Sequence, residues 1–434
     1  MPARRGSDAV LVLGAGADAV FGVPTVNTLA RALAEFTRTD GKIVDRALRR
    51  RVPHVRLSFD KVGAEAGENL VTRMLEDPTD VLPQFETLRG RLAKLPDGGP
   101  VAEVLEALAE MAKRNEVKPE LAKRLATAAG AQESDRASDL VLDPQRLTLR
   151  PVIQQAVRST LPTVLTQPGL SDKERALAEE ILAAVSNIEE LLAIHFARFL
   201  ATSSLADRRT YLYLAWILWA FLKVRAAAAD RARHSVYDEL KEISAAVITF
   251  NYTDFFPRSI RKAVLHFHGR LDEYLRADSR EVVGNDEFAS TNTVEQVVTL
   301  FEQLRLDVTG NNPAIDIPAI VPPTTFKPVL SRAQLRTWAA ADAELDAATR
   351  VVVVGYSFAQ ADEHFNDLLR KSTSEVRVIT RNATAAFPRA ARPLGIDPAA
   401  GKVSKSGSVA AGRLSVLPGR AENLDSRDVA KLLG

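Results

Sequence analysis

Four consecutive valines, Val351 to Val354, narrow the folds open to this chain more than any other segment. β-Branched side chains are stiff about their first torsion and suit a pleated strand. Strand side chains alternate between faces, so a run that is apolar at every position needs cover on both. Such a strand belongs inside a parallel sheet with helices above and below it. Gly355 ends the run and Tyr356 and Ser357 follow, so the strand delivers a glycine and a hydroxyl to the loop at its carboxyl end.

The same pattern recurs. Ala9 to Leu13 reads as a second fully buried strand, followed by the glycine loop Gly14-Ala15-Gly16. Val26, Leu29, Leu33 and Phe36 then have helical spacing, with Thr25 as a candidate N-cap. Further strands are expected at 245–250, 263–269, 319–328, 376–382 and 412–419. Short strands alternating with helices predict an α/β, Rossmann-like, mostly parallel sheet. In such sheets ligands bind at the carboxyl ends of strands, where every polar motif of this chain falls.

Between 64 and 244 the sequence is rich in Ala, Leu, Glu and Arg, with helical periodicity at 101–114 and 176–200 and a polar loop at 130–146. The expected organisation is therefore residues 1–63 and 245–434 as a nucleotide-binding domain, and 64–244 as a large all-helical insertion, a lid or assembly domain. Its most apolar stretch, 211–222, is 12 residues long. A bilayer needs about 20, so a buried helix is expected.

Charge excludes some classes. The 57 basic and 55 acidic side chains leave a net +2, which indicates neither direct nucleic-acid binding nor an anionic membrane. Cys is absent, which removes disulfides, Cys-ligated zinc and a thiol nucleophile, and fits a cytoplasmic protein. The apolar run after the basic N-terminus is too short for a signal peptide.

Five clusters sit at strand ends. Gly14-Ala15-Gly16-Ala17-Asp18-Ala19 fits a loop that lets a phosphate approach the backbone. A dehydrogenase would also need a second strand after the helix, and "TRTDGKIVDRALRR" has no β-branched run to supply it. The stretch "ITFNYTDFFP" brings Asn251 and Asp254 into a loop with aromatic neighbours. An amide there can hold a ribose hydroxyl or a water, or end the strand as an Asx turn. In "LHFHGRLD", strand alternation puts His266 and His268 on the face opposite Leu265 and Phe267, with His268 placed as a general base. No further ligand spacing supports a metal. Gly355 and Ser357 form the fourth cluster, and Thr380, Arg381 and Asn382 the fifth, suited to the adenosine end of a nucleotide.

In this order the five clusters resemble a sirtuin-type domain. The family's G-A-G-x-S-x-x-S-G-I-P motif is matched by Gly14-Ala15-Gly16 and Gly22-Val23-Pro24, and its Thr-Gln-Asn-Ile-Asp by Thr249-Phe250-Asn251-Tyr252-Thr253. Its His-Gly resembles His268-Gly269, its Gly-Thr-Ser turn Gly355-Tyr356-Ser357, and its adenosine loop Thr380-Arg381-Asn382. The resemblance covers roughly 1–35 and 245–434. The family's four-Cys zinc module is missing. Thr25-Val26-Asn27 stands for Asp-Phe-Arg, Asp18 for Ser, and Thr253 for Asp.

The segments "FNYTDFF", "HFHGRLD", "VPPTTFKP" and "GYSFAQADEHFNDLL" are similar instead to the zinc-less bacterial sirtuin-like proteins of anti-phage defence. The resemblance implies an NAD+ hydrolase that releases ADP-ribose and nicotinamide, with NAD+ as substrate, no metal and no deacylation. It implies Asn251 and His268 as catalytic residues. It places Gly14, Ala15, Gly16, Ala17, Asp18, Pro24, Thr25, Asp254, Gly355, Ser357, Arg381 and Asn382 around the nucleotide, with loop amides and the helix start at Thr25 on the pyrophosphate. It further implies control by homo-oligomerisation or by a partner such as a HerA-type ATPase. The alternative expectation is a sensor that binds NAD+ or ADP-ribose without cleaving it.

Overall fold

In a computed structural model of the protein, the described residues are 9–55, 78–94, 205–231, 233–241, 245–256, 264–284, 286–309, 314–321, 331–359 and 362–420, with isolated positions between 99 and 181 and Val329, Leu424 and Leu432. The chain divides into two compact units: Met1–Leu29, Asp40–Pro53 and Tyr211–Gly434 form one, and Ala30–Thr39 with His54–Thr210 the other.

The first unit holds an eight-stranded sheet. Its strands are β1 (Ala9–Leu13), β2 (Ala246–Thr249), β3 (Val264–His266), β7 (Arg350–Val354), β8 (Glu375–Thr380), β9 (Lys402–Val403), β10 (Val409–Ala411) and β11 (Leu414–Pro418). A separate antiparallel sheet contains β4 (Gly269–Arg276), β5 (Glu281–Gly284) and β6 (Asp316–Ile320). The large sheet runs β9-β10-β11-β8-β7-β1-β2-β3. From β11 to β3 every pairing is parallel, while β9 and β10 add an antiparallel edge. This is the α/β, Rossmann-like architecture that the valine run implied.

Burial explains the order. Val351 to Val354 and Val10 to Leu13 are buried on both faces. On one face, α6 (Arg332–Ala347), α7 (Glu363–Lys371) and α8 (Ala383–Ala391) bring Ala341, Leu345, Phe365, Leu369 and Phe387 against Val10, Val12, Ile248, Val351, Val353 and Val378. Each of the Val, Ile, Leu and Phe side chains among them contributes about 1.5–3 kcal/mol on burial. Ser331 caps α6 by accepting from Gln334 N.

Three sequence expectations are corrected. The predicted strand 263–269 breaks: β3 ends at His266, and the chain turns through Phe267 and His268 before β4. Gly269 permits the reversal with φ +83°, and a Cβ there would lie 2.0 Å from Ala319 O. His266 and His268 are therefore not two positions on one strand face. The predicted strand 319–328 starts earlier, as β6, and residues 322–328 lie outside the described residues. Within the predicted polar loop 130–146, Leu142–Asp143 pairs with Thr148–Leu149 as a short antiparallel ladder.

The segment "TRTDGKIVDRALRR" forms helix, ending α1 (Val26–Arg38) and making α2 (Lys42–Arg51). A dehydrogenase's second strand has no place there. The apolar helix α4 (Leu205–Ala227) is buried throughout 211–222, and Tyr211 onward belongs to the same unit as the sheet. Its indoles are satisfied by the small sheet region: Trp216 Nε1 donates to Asp316 O at 2.9 Å and Trp219 Nε1 to Leu271 O at 2.8 Å. Among the described residues no helix is long and apolar enough to cross a membrane.

The second unit contains α3 (Pro78–Leu92) and the ladder at 142–149. The predicted helices at 101–114 and 176–200 lie largely outside the described residues.

Candidate functional site

The parallel register brings the five clusters to one edge. Leu13 is level with Thr249 and Val354, Thr249 with His266, and Val354 with Ile379. Gly14, Asn251, His268, Gly355 and Arg381 therefore all follow strand ends on the carboxyl side. The order of strands reverses between β1 and β7, which is where an open α/β sheet forms its crevice.

Two backbone segments meet at that crevice. Gly14 N donates to Val354 O at 3.0 Å and Gly16 N to Gly355 O at 2.9 Å. A Cβ on Gly14 would lie 2.5 Å from Tyr356 Cα, and one on Gly16 2.7 Å from Gly355 Cα. Gly355 has φ +70°, and a Cβ there would come within 2.3 Å of Ala17 N. The glycines are thus required by the close approach of the two loops. Ala17 N also turns inward, to Gly14 O at 2.9 Å. Of the loop amides expected to face a phosphate, those of Gly14, Gly16 and Ala17 donate to protein carbonyls instead. Ala15 to Asp18 form a single helical turn, and Pro24 and Thr25 lie half-buried before α1.

Asp18 is the buried centre of a polar cluster. Its Oδ1 accepts from the Tyr237 hydroxyl and, at 2.6 Å, from Asn251 Nδ2, and its Oδ2 accepts from the Thr253 hydroxyl. Asn251 Nδ2 also lies 3.0 Å from Gly14 O and 3.0 Å from the Tyr237 hydroxyl oxygen. All four side chains are buried. Burial pushes the Asp18 carboxyl up to about 7, against the pull of the bonds from Thr253, Tyr237 and Asn251. The Tyr237 hydroxyl is pushed up by burial and then by the Asp18 charge.

His268 is buried among aromatic rings. It meets Phe250 edge-on with centroids 4.8 Å apart, and Tyr252 at 6.2 Å. Its carbonyl accepts from Val321 N at 2.7 Å, which fixes the turn. Nε2 lies 3.0 Å from Asp362 Oδ1, an ion-pair distance whose alignment is not that of a hydrogen bond. His266 faces elsewhere: Nδ1 is 3.2 Å from Asn251 O, and the ring packs on Phe256. Burial, and then Arg270, holds its pKa below the usual histidine range.

The remaining expected residues lie at the rim. Ser357, Arg381 and Asn382 are exposed, and Asn382 caps α8 by accepting from Ala385 N at 3.0 Å. Asp254 is exposed and 3.7 Å from Arg270. A cavity of about 200 Å³ between the ends of β7 and β8 is lined by Gly355, Tyr356, Ser357 and Thr380. A wider one of about 480 Å³ is lined by Ala19, Val20, Arg233, His234 and Arg381. Among the described residues, no three His, Asp or Glu side chains are grouped as a metal ion requires.

Sequence reasoning missed Asp362, Tyr237 and Thr253 as site residues. Asp362 immediately precedes the amphipathic helix α7 within the segment "GYSFAQADEHFNDLL", and nothing local to it points to His268. Tyr237 lay inside the segment assigned to the helical insertion.

No family model matches the chain, and no curated protein matches it. Among solved structures, a Sir2 homologue in complex with NAD is similar over 54% of this chain and 77% of its own, at 14% identity and a TM-score of 0.33. A mutant Sir2 homologue in complex with ADP ribose is similar over 50% of this chain and 72% of its own, at 16% identity and a TM-score of 0.33. Sir2Af2 bound to a myristoylated histone peptide is similar over 50% and 79%, at 18% identity and a TM-score of 0.31.

Proposed function

We propose that the carboxyl edge of the sheet cleaves the N-glycosidic bond of NAD+ with water, giving ADP-ribose, nicotinamide and a proton. The observation that carries this reading is the convergence, at level strand ends, of a buried oriented amide (Asn251) and a buried imidazole paired with a carboxylate (His268 and Asp362). The order of the five sequence clusters supports it.

Nicotinamide departs neutral, so the reaction needs little acid catalysis at the leaving group. Positive charge develops on the ribose, and a water must be oriented and deprotonated. Asn251 holds the ribose or the water. Asp362 takes one ring nitrogen of His268, which leaves Nδ1 as the base. General-base help of this kind is worth about 10²–10⁴ in rate. Gly14 to Ala17, Pro24, Thr25, Asp254, Gly355, Ser357, Arg381 and Asn382 surround the dinucleotide, with Arg381 on the anionic side, while Asp18 is buried and bonded to Asn251 rather than to the nucleotide. The pyrophosphate needs the inward-turned loop amides to re-aim, or else takes its contacts from the rim. We further propose that the helical middle is a lid or assembly surface and that the reaction serves anti-phage defence, gated by oligomerisation or by a HerA-type partner. That part rests on the sequence resemblance alone.

The test is release of free nicotinamide from NAD+ by the purified protein, with Asn251→Ala and His268→Ala as controls. Both variants should lose release while keeping the parental circular dichroism. Release at the parental rate by either would overturn the assignment. Binding of NAD+ without release by the parent would establish the sensor reading instead.

A further inference from the structure

Asn251 is useful to the proposed reaction only if a known end of its amide faces the substrate. The protein fixes that end. Three acceptors surround Nδ2: Gly14 O at 3.0 Å, Asp18 Oδ1 at 2.6 Å and the Tyr237 hydroxyl oxygen at 3.0 Å. With the amide turned over, its oxygen would face a carboxylate and a peptide carbonyl, leaving acceptors opposed to acceptors in a buried site.

Asp18 is the member of this set that sequence comparison with the family leaves unexplained. A serine in its place has one oxygen. The carboxylate has two, and it uses both: Thr253 donates to Oδ2, Tyr237 and Asn251 to Oδ1. The Tyr237 hydroxyl donates to Asp18 while accepting from Asn251, so the three side chains hold one another.

We propose that Asp18 is a positioning residue for Asn251, holding Nδ2 inward so that Oδ1 is presented to the substrate as an acceptor for a ribose hydroxyl or the attacking water. The inference rests on the NAD+-cleavage reading and assigns the orientation of its amide. A buried carboxylate displaced toward neutrality by its surroundings lowers stability, and such costs persist where a site needs them.

Two substitutions separate orientation from charge. In Asp18→Asn, the amide oxygen still accepts from Asn251 and Tyr237, and the new NH₂ donates to the Thr253 hydroxyl, which can accept. Asp18→Leu keeps the branched heavy-atom skeleton and removes both acceptors. Nicotinamide release would be measured beside ADP-ribose affinity for each folded variant. Asp18→Leu should lose about 10² in kcat, the scale of a misplaced reacting group, with affinity for ADP-ribose little changed. Asp18→Asn should keep kcat within a few-fold. Should Asp18→Leu fail to fold, Asp18→Ala serves in its place, with the same loss expected. A folded Asp18→Leu or Asp18→Ala with parental kcat would overturn the inference, and so would Asp18→Asn falling as far as the leucine variant. A parent that released no nicotinamide would remove the reaction and this inference together. An active parent indifferent to the loss of Asp18 removes the inference alone.

Discussion

Asp18→Asn should stabilise the sheet-bearing unit, and by more as the pH rises. Burial moves the carboxyl from 3.8 to about 7 in the folded protein. Between those values the folded state binds more protons than the unfolded state, so stability falls as pH rises through the window. The contribution is fully present below pH 3.8 and is lost once pH has passed about 7. At about 1.4 kcal/mol per unit the full swing is about 4 kcal/mol. Roughly 2–3 kcal/mol of it falls between pH 5 and pH 8. Asparagine does not titrate and keeps the bonds to Asn251 and Tyr237.

The difference in unfolding free energy between variant and parent should therefore grow by roughly 2–3 kcal/mol from pH 5 to pH 8. Urea unfolding followed by tryptophan fluorescence reads this unit selectively. All three tryptophans, Trp216, Trp219 and Trp338, lie in the Tyr211–Gly434 stretch. The neighbouring titratable groups do not confuse the comparison. Tyr237 ionises far above the window, and His266 and Asp254 are present in both proteins. A difference constant to within about 0.5 kcal/mol across this pH range would refute the reasoning.

Two further outcomes follow from the geometry. Asp362→Asn should leave the fold intact and lower nicotinamide release by roughly tenfold or more, because His268 loses the charge that holds it; an unchanged kcat would remove Asp362 from the site. Gly355→Ala should cost more than about 2 kcal/mol, since a positive φ and a backbone clash at 2.3 Å act together, whereas Gly22→Ala, with φ +80° and open space, should cost about 1 kcal/mol. Urea midpoints of the two variants would show the contrast, and equal losses would contradict it.

The sheet was legible because its signals are local. A valine run or an Ala-Val-Leu-Val-Leu run carries its burial in the order of its own residues, and the glycines after each mark the strand ends. The turn at His268 was not legible. Alternation continues on paper through Leu265, His266, Phe267 and His268, and only the contact of Gly269 with Ala319 shows that the strand must stop. The polar cluster was hidden for a different reason. Tyr237 and Asp18 are 219 positions apart, and Thr253 and Asp18 are 235 apart. Nothing in the neighbourhood of Asp18 announces either hydroxyl. In the sequence Asp18 is marked only by standing where the sirtuin motif that the segment resembles has a serine. The apolar helix α4 read correctly as buried, but its two indole donors, which tie it to Asp316 and Leu271, have no periodic signature.

Gly14, Gly16 and Gly355 form a floor made of main chain alone, because each lies too close to the opposite loop to carry a side chain. A surface of that kind is closed to mutational adjustment. Any change in the lining of this edge must come from side chains beside the floor, such as the exposed Ser357. The floor instead joins the ends of β1 and β7 through the bonds from Gly14 N to Val354 O and from Gly16 N to Gly355 O.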